Sequence, residues 1–174
     1  MKGGKVNALS RGGTSPFMFP FRRARGIQDL KVLKVLEDSG AKITKNMCNE
    51  VILRLFERKQ DSFLEDWKSS EKDKLLLFQF LKERGGNFHF RLRNGETLLH
   101  LACEKGWDHV VKWLVEDCRL DVNAKDNQET LPIHCLYNPT CNIARYLVEN
   151  GSICLPHTEA RTDSFLSLQT ELEF

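Results

Sequence analysis

The sequence predicts an all-α repeat solenoid, a stack of helix-turn-helix units joined by short turns. Two segments 34 residues apart, 94–102 and 129–136, share one pattern and place His100 and His134 at matching positions. Each segment is followed by an apolar helical stripe, so the unit of the pattern is a pair of short helices. The 41% hydrophobic and 29% charged content is that of a folded domain. A period of this length is the mark of a stacked array.

The two clear copies read NGETLLHLA at 94–102 and ETLPIHCL at 129–136, with DVNAKD at 121–126 between them. This order of turn, short helix, bend and second helix resembles the ankyrin repeat, whose period is near 33 residues. The additional residue is assigned to 117–119, before the next turn. The resemblance implies about four repeats and a partial fifth, joined by β-turn or hairpin loops in a single domain over 1–174.

Two degenerate copies precede the clear ones. The first repeat, 5–41, begins with KVNA, which matches DVNA at 121–124, and its second helix, 29–37, should stop at Gly40. The second repeat, 42–86, has apolar helical stripes at 47–56 and 76–81. About 12 residues more than the family period fall in this copy. We place them within 58–69, as either a plain loop or a functional protrusion.

The later copies are easier to delimit. In the third repeat, 87–123, Thr97 should cap the first helix and Gly106 should end it. In the fourth repeat, 124–154, Leu131 stands where the capping Thr belongs, a loss of about 1 kcal/mol that predicts a looser unit. Residues 155–174 form either a C-terminal cap or half of a fifth repeat. The raw ends favour an excerpt from a longer array or a divergent short protein.

Composition restricts the cellular setting. We find no secretory signal and no apolar run long enough to span a membrane. Six scattered cysteines do not form the framework of a small secreted domain, so reduced thiols in the cytoplasm or nucleus are expected. The net charge of +2 divides into +7 over residues 1–34 and −5 over the remainder. The basic end contains the cluster Arg22, Arg23 and Arg25.

The chemistry-bearing residues favour structure over catalysis. By the resemblance, His100 and His134 hydrogen-bond backbone groups of the neighbouring turn. A zinc set of Cys135, Cys141, Cys154 and His157 lacks the paired knuckle spacing of structural sites. No phosphate loop, nucleophile elbow or metalloprotease motif is present. We therefore expect no enzyme activity, no cofactor and no metal.

The expected function is a protein-binding scaffold, acting as a monomer on a partner that the sequence does not identify. The resemblance implies contact through the turn tips and the concave face of the inner helices. Carried over to this chain, those positions are Arg91, Arg93, Asn94, Glu96, Glu104, Lys105, Trp107, Lys125, Asn127, Gln128 and Asn138. Trp107 either anchors a partner or covers the neighbouring repeat. Two alternatives are an interaction segment of a larger multidomain protein, and contact of the Arg22–Arg25 cluster with nucleic acid or an acidic surface.

Overall fold

The computed structural model describes residues 7, 8, 11, 27–57, 71–137 and 142–153. Within these ranges the chain forms six α-helices and one 3-10 turn, and it contains no β-strand beyond an isolated antiparallel bridge. The elements are α1 (Ile27–Asp38), α2 (Lys45–Glu57), α3 (Glu71–Glu83), α4 (Leu98–Glu104), α5 (Asp108–Glu116), the 3-10 turn Pro132–Cys135, and α6 (Asn142–Glu149). The all-helical fold class predicted from the sequence is confirmed.

The chain divides into two compact units, Met1–Phe88 and His89–Phe174. The boundary falls close to the junction that the sequence predicts between the second and third repeats. The first unit contains α1, α2 and α3, and the second contains the remaining elements. The predicted insertion at 58–69 and the partial repeat at 155–174 lie outside the described residues.

The core of the first unit is built on aromatic side chains of α2 and α3. Helix α3 packs against both α1 and α2. The rings of Phe56 and Phe78 stack with centroids 5.0 Å apart, and Phe88 meets Phe78 edge-on at 6.1 Å. All three side chains are buried, each contributing roughly 2–3 kcal/mol of hydrophobic stabilisation. The two apolar stripes of the second repeat therefore face each other as a helix pair, as the sequence predicts.

An arginine at the end of α3 fastens that helix to α1. Arg84 donates from Nε and Nη2 to the two carboxylate oxygens of Glu37, at 2.9 and 2.5 Å, and from Nη1 to the carbonyl of Phe80 at 3.0 Å. Its guanidinium carbon lies 3.4 Å from the Phe80 ring centroid. The hydrogen bonds from Arg84 lower the pKa of Glu37. Because the arginine is only 22% exposed, this bidentate pair is stronger than an ordinary surface ion pair.

The second unit is organised around α4, whose residues Leu98–Cys103 are all buried. Helix α4 packs against α5 and against the 3-10 turn, and α5 packs against α6. The small side chains of Ala102 and Cys103 are buried on this helix. Trp113 is only 5% exposed and is therefore a packing residue of α5.

Four helices end at a glycine with positive φ: Gly40, Gly85, Gly106 and Gly151. At each of these positions the following residue donates its N–H to the carbonyl five residues back, which is the Schellman arrangement. The four bonds are Ala41 to Leu36 at 2.9 Å, Gly86 to Leu81 at 2.9 Å, Trp107 to Ala102 at 3.0 Å, and Ser152 to Leu147 at 2.9 Å. Gly40 and Gly106 are the positions at which the sequence predicts that helices end, and both predictions are confirmed.

Helix α5 ends differently, and the difference accounts for the 34-residue spacing. Here Arg119, not glycine, takes the positive φ of 57°. The N–H of Leu120 reaches back six residues to the carbonyl of Leu114, at 3.1 Å, instead of five. The additional residue is thus absorbed within 117–119, where the sequence analysis places it.

Asparagine side chains hydrogen-bond the backbone of the loops that follow α1 and α6. Asn7 donates to the carbonyl of Gly40 and accepts from the N–H of Lys42, at 3.0 and 2.7 Å. Asn123 makes the same two bonds to Gly151 and Ile153, at 2.8 Å each. The match between KVNA and DVNA in the sequence therefore corresponds to a shared structural role.

Candidate functional site

The turn tip of the third repeat is a short hairpin closed by backbone hydrogen bonds. Arg91 and Thr97 form its antiparallel bridge. Within it, the N–H of Leu92 donates to the carbonyl of Glu96, and the N–H of Gly95 donates to the carbonyl of Leu92, each at 2.9 Å. Gly95 has a φ of +82°, which side-chain-bearing residues rarely adopt. The tip conformation is therefore fixed by its backbone and by this glycine.

The tip of the fourth repeat has the same backbone bonds 34 residues later. The N–H of Asp126 donates to the carbonyl of Thr130, and the N–H of Glu129 donates to the carbonyl of Asp126, each at 3.1 Å. Glu129 occupies the glycine position and has a φ of 61°. The Asp126 carboxylate accepts from the N–H groups of Gln128 and Thr130, each at 2.8 Å, which compensates for the missing glycine by bracing the turn.

The two tips are hydrogen-bonded directly to each other. The backbone N–H of Asn127 donates to the carbonyl of Asn94 at 2.9 Å, and its side-chain amide donates to the carbonyl of Arg93 at 3.1 Å. Arg91 donates from Nη1 to the carbonyl of Lys125 at 2.6 Å. These contacts join neighbouring turns into a continuous ridge, 91–97 with 125–130, which we call the tip ridge.

His100 connects the two turns of the tip ridge by hydrogen bonds to Thr97 and Thr130. Its Nδ1 accepts the backbone N–H of Thr97 at 3.1 Å and lies 2.9 Å from the Thr97 hydroxyl. Because Nδ1 accepts, the ring proton is on Nε2, which donates to the carbonyl of Thr130 at 3.0 Å. Burial lowers the pKa of His100 and keeps the ring neutral. The structural role that the resemblance implies for this histidine is confirmed.

His134 repeats part of this arrangement in the fourth repeat. Its Nδ1 accepts the backbone N–H of Leu131 at 3.3 Å, a longer bond than the one at Thr97. The helix that follows Leu131 is only the four-residue 3-10 turn, whereas α4 has seven residues. The first helix of the fourth repeat is therefore shorter, in the repeat that lacks the capping threonine.

The predicted contact residues divide into two groups in the structure. The exposed ones are Arg91, Arg93, Asn94, Glu104, Lys125, Asn127 and Gln128. The half-buried ones are Glu96, Lys105 and Trp107, and Asn138 lies outside the described residues. Most of the set lies on the tip ridge, while Glu104, Lys105 and Trp107 lie at the other end of α4. Arg91, Asn94 and Asn127 also hold the ridge together, a role that the sequence analysis did not assign to them.

Trp107 is held from within the same loop. The ammonium of Lys105 lies 5.7 Å from its ring centroid, within the range of a cation–π contact. The ring is half-buried, which leaves both interpretations of this residue, partner anchor and internal cover, open.

Tyr137 is an aromatic residue outside the predicted contact set, and it is 92% exposed. It lies two residues after the end of the 3-10 turn and directly before Asn138-Pro139, a pair typical of turns. An aromatic residue directly before such a turn is the signal that could have identified it.

The described residues contain no cluster of three or more His, Cys, Asp or Glu side chains that could hold a metal ion. Three members of the hypothetical zinc set, Cys141, Cys154 and His157, lie outside the described residues. Within the described residues, Cys48, Cys103, Cys118 and Cys135 form no disulfide bond. None of the helices in the described ranges is long and apolar enough to cross a membrane.

Comparison with known families agrees with this geometry. Residues 68–156 match the family model described as ankyrin repeats, which contains three copies of the repeat. No curated protein matches the chain. Ankyrin repeats are generally protein–protein interaction modules. The matched segment covers α3 to α6 and the tip ridge, and it spans more than half of the chain. The chain therefore belongs to the ankyrin repeat family.

Proposed function

We propose that this chain is a non-catalytic protein-interaction module that binds a partner protein through its tip ridge and the adjoining face of its inner helices. The observation that carries the proposal is the direct hydrogen bonding between successive tips, which fixes the backbone of an exposed surface. A preorganised surface loses less conformational entropy when a partner binds. Membership of a family whose repeats generally bind proteins supports the same conclusion.

The tip ridge also contains exposed side chains that contribute little to the stability of the fold. Arg93 is exposed and makes no side-chain hydrogen bond or ion pair with any described residue. Among the described residues, Lys125 forms an ion pair only with Glu129, at 3.2 Å, and the two side chains are 49% and 75% exposed. A pair of this kind contributes little to stability and can be exchanged for contacts with a partner.

We assign no catalytic role to the histidines of the repeats. Both ring nitrogens of His100 are engaged with Thr97 and Thr130, and the ring is 1% exposed. A general base needs an accessible nitrogen within reach of a substrate proton. His100 therefore acts on the conformation of the ridge.

Site-specific photo-crosslinking in cells tests this proposal. A photoreactive phenylalanine analogue is placed at Arg93 or Gln128 on the ridge, and at Lys34 or Arg145 on the exposed faces of α1 and α6 as matched controls. We expect a discrete cross-linked protein from the ridge positions and none from the controls, identified by mass spectrometry. Equal cross-linking from all four positions, or cross-linking only from the outer helices, would contradict the proposed surface.

A further inference from the structure

Arg91 holds its guanidinium group in a fixed orientation on the tip ridge. Its Nη1 donates to the carbonyl of Gly95 at 2.9 Å and to the carbonyl of Lys125 at 2.6 Å. A guanidinium nitrogen of this kind has two hydrogens, so both are used. The hydrogens on Nε and Nη2 make no hydrogen bond with the described residues, and the side chain as a whole is exposed. The Nε–Nη2 edge is thus available in a preset position.

This free edge has the geometry of a carboxylate receptor. Two parallel N–H groups on one side of a planar guanidinium match the two oxygens of a carboxylate in a bidentate pair. An arginine held in place by two backbone carbonyls loses little side-chain freedom on binding. Arg91 is therefore a better anion receptor than an unrestrained surface arginine.

Arg93 supplies a second positive charge two residues further along the same hairpin. It is the first residue inside the turn that the hydrogen bond from the N–H of Gly95 to the carbonyl of Leu92 closes. Both arginines are exposed. Two guanidinium groups two residues apart can contact one acidic side chain together, or two adjacent ones.

The acidic residues of the tip ridge are directed elsewhere. The carboxylate of Asp126 accepts two backbone N–H groups, and that of Glu129 lies against Lys125. Glu96 is half-buried and close enough to His100 to favour its protonated form. These carboxylates therefore do not occupy the Nε–Nη2 edge of Arg91. They do reduce the positive potential around the two arginines, and this reduction favours binding of a singly charged carboxylate over a doubly charged phosphate.

We propose that Arg91 and Arg93 form a carboxylate clamp that receives an Asp- or Glu-containing segment of the partner protein. This inference rests on the proposed function, since it names the chemistry that the tip ridge recognises. It predicts that the partner's contact segment carries at least one acidic side chain, with Arg91 as the bidentate receptor and Arg93 as the second contact.

Nuclear magnetic resonance titration of the arginine Nε–H signals tests the clamp on the full chain without knowledge of the partner. The probes are three dodecapeptides with a Gly/Ser background and three central residues: glutamates, glutamines or phosphoserines. We expect the glutamate peptide to shift the signals of Arg91 and Arg93 saturably, and the glutamine peptide to leave them unchanged. The variant Arg93→Glu should weaken binding of the glutamate peptide by about tenfold or more. Arg145→Glu, an equal charge change at an exposed arginine on α6, should weaken it less than about twofold.

Arg91→Lys tests the role of the Nε–Nη2 edge separately, because lysine keeps the positive charge but cannot make the bidentate pair. We expect a similar loss of binding, with an unchanged His100 Nε2–H signal showing that the tips remain joined. Equal shifts at all surface arginines, no saturable shift at Arg91, or a clear preference for the phosphoserine peptide would each overturn the clamp. If the ridge positions cross-link a partner but the glutamate peptide does not bind, the proposed interaction surface is supported and the carboxylate clamp is wrong.

Discussion

Gly95 is the residue on which the junction between the two tips depends most. A Cβ built at this position would lie 2.7 Å from the backbone nitrogen of Asn127 and would also collide with the Asn127 side chain. Alanine at this position therefore has two costs. One is the positive φ of 82°, roughly 1 kcal/mol for a residue with a Cβ. The other is displacement of Asn127, which loses its bonds to Asn94 and Arg93.

Each of those two hydrogen bonds contributes about 1 kcal/mol, so Gly95→Ala should destabilise the chain by roughly 3 kcal/mol. Gly106 is the matched control within the same unit. It also has a positive φ, of 64°, but a Cβ there would meet nothing within 4 Å. Gly106→Ala should therefore destabilise the chain only through the positive φ, by about 1 kcal/mol. The difference between the two variants isolates the contact between the tips.

Urea unfolding followed by circular dichroism measures both free energies, and amide hydrogen exchange at Asn127 reports the junction locally. The variant Glu129→Gly gives the converse test, since it relieves the positive φ at the equivalent position of the next tip. It should stabilise the chain by up to about 1 kcal/mol, because the exposed pair with Lys125 that it removes is weak. Equal losses in Gly95→Ala and Gly106→Ala, with unchanged exchange at Asn127, would refute the reasoning.

Three further predictions concern side-chain hydrogen bonds. Asn123→Ala removes both bonds to the loop after α6 and should lower the free energy of unfolding by about 1–2 kcal/mol, as measured by urea denaturation. Burial lowers the pKa of His100 in the folded chain, so the unfolded chain binds a proton at this residue first as the pH falls. The free energy of unfolding should therefore be highest above about pH 6.5 and decrease at lower pH. The variant His100→Gln should reduce this dependence of the urea midpoint on pH. Burial and the hydrogen bond to Glu116 raise the pKa of Tyr146 to about 12, so Glu116→Gln should lower that pKa, as followed by tyrosinate absorbance in a Tyr137→Phe background.

Each of these tests has an outcome that would contradict it. An Asn123→Ala variant with wild-type stability would mean that solvent replaces both bonds. A pH profile that is the same with and without the ring of His100 would assign the acid sensitivity to other groups. A Tyr146 pKa that does not move in Glu116→Gln would leave burial as its sole cause.

The features predicted from the sequence are those that depend on local patterns. The helix ends at Gly40 and Gly106 follow from the need for a positive φ after the last turn, which glycine adopts at low cost. The buried face of α4 follows from a run of apolar and small residues. The additional residue near Arg119 could be located because the flanking segments keep their register on both sides.

The contacts that the sequence did not reveal join residues about 30 or more positions apart. Arg91 reads as a surface charge, yet its Nη1 bonds a carbonyl 34 residues later. Asn49 lies within α2, where no local motif marks it, but its side chain accepts the N–H of Asn87 as Asn7 does for Lys42. Such roles depend on which backbone group the fold brings near, and a single sequence contains no signal for that.

The two histidines show which part of the repeated turn motif the fold requires. The third repeat has both Thr97 and His100, whereas the fourth has Leu131 in the place of the threonine. The backbone N–H before the helix is nonetheless accepted by the histidine ring in both repeats, at 3.1 and 3.3 Å. The acceptor is the ring nitrogen in both repeats, so this bond does not require the threonine hydroxyl. The turn thus survives loss of the hydroxyl, with a short 3-10 segment in place of a seven-residue helix, and the histidine is the member of the pair that closes it.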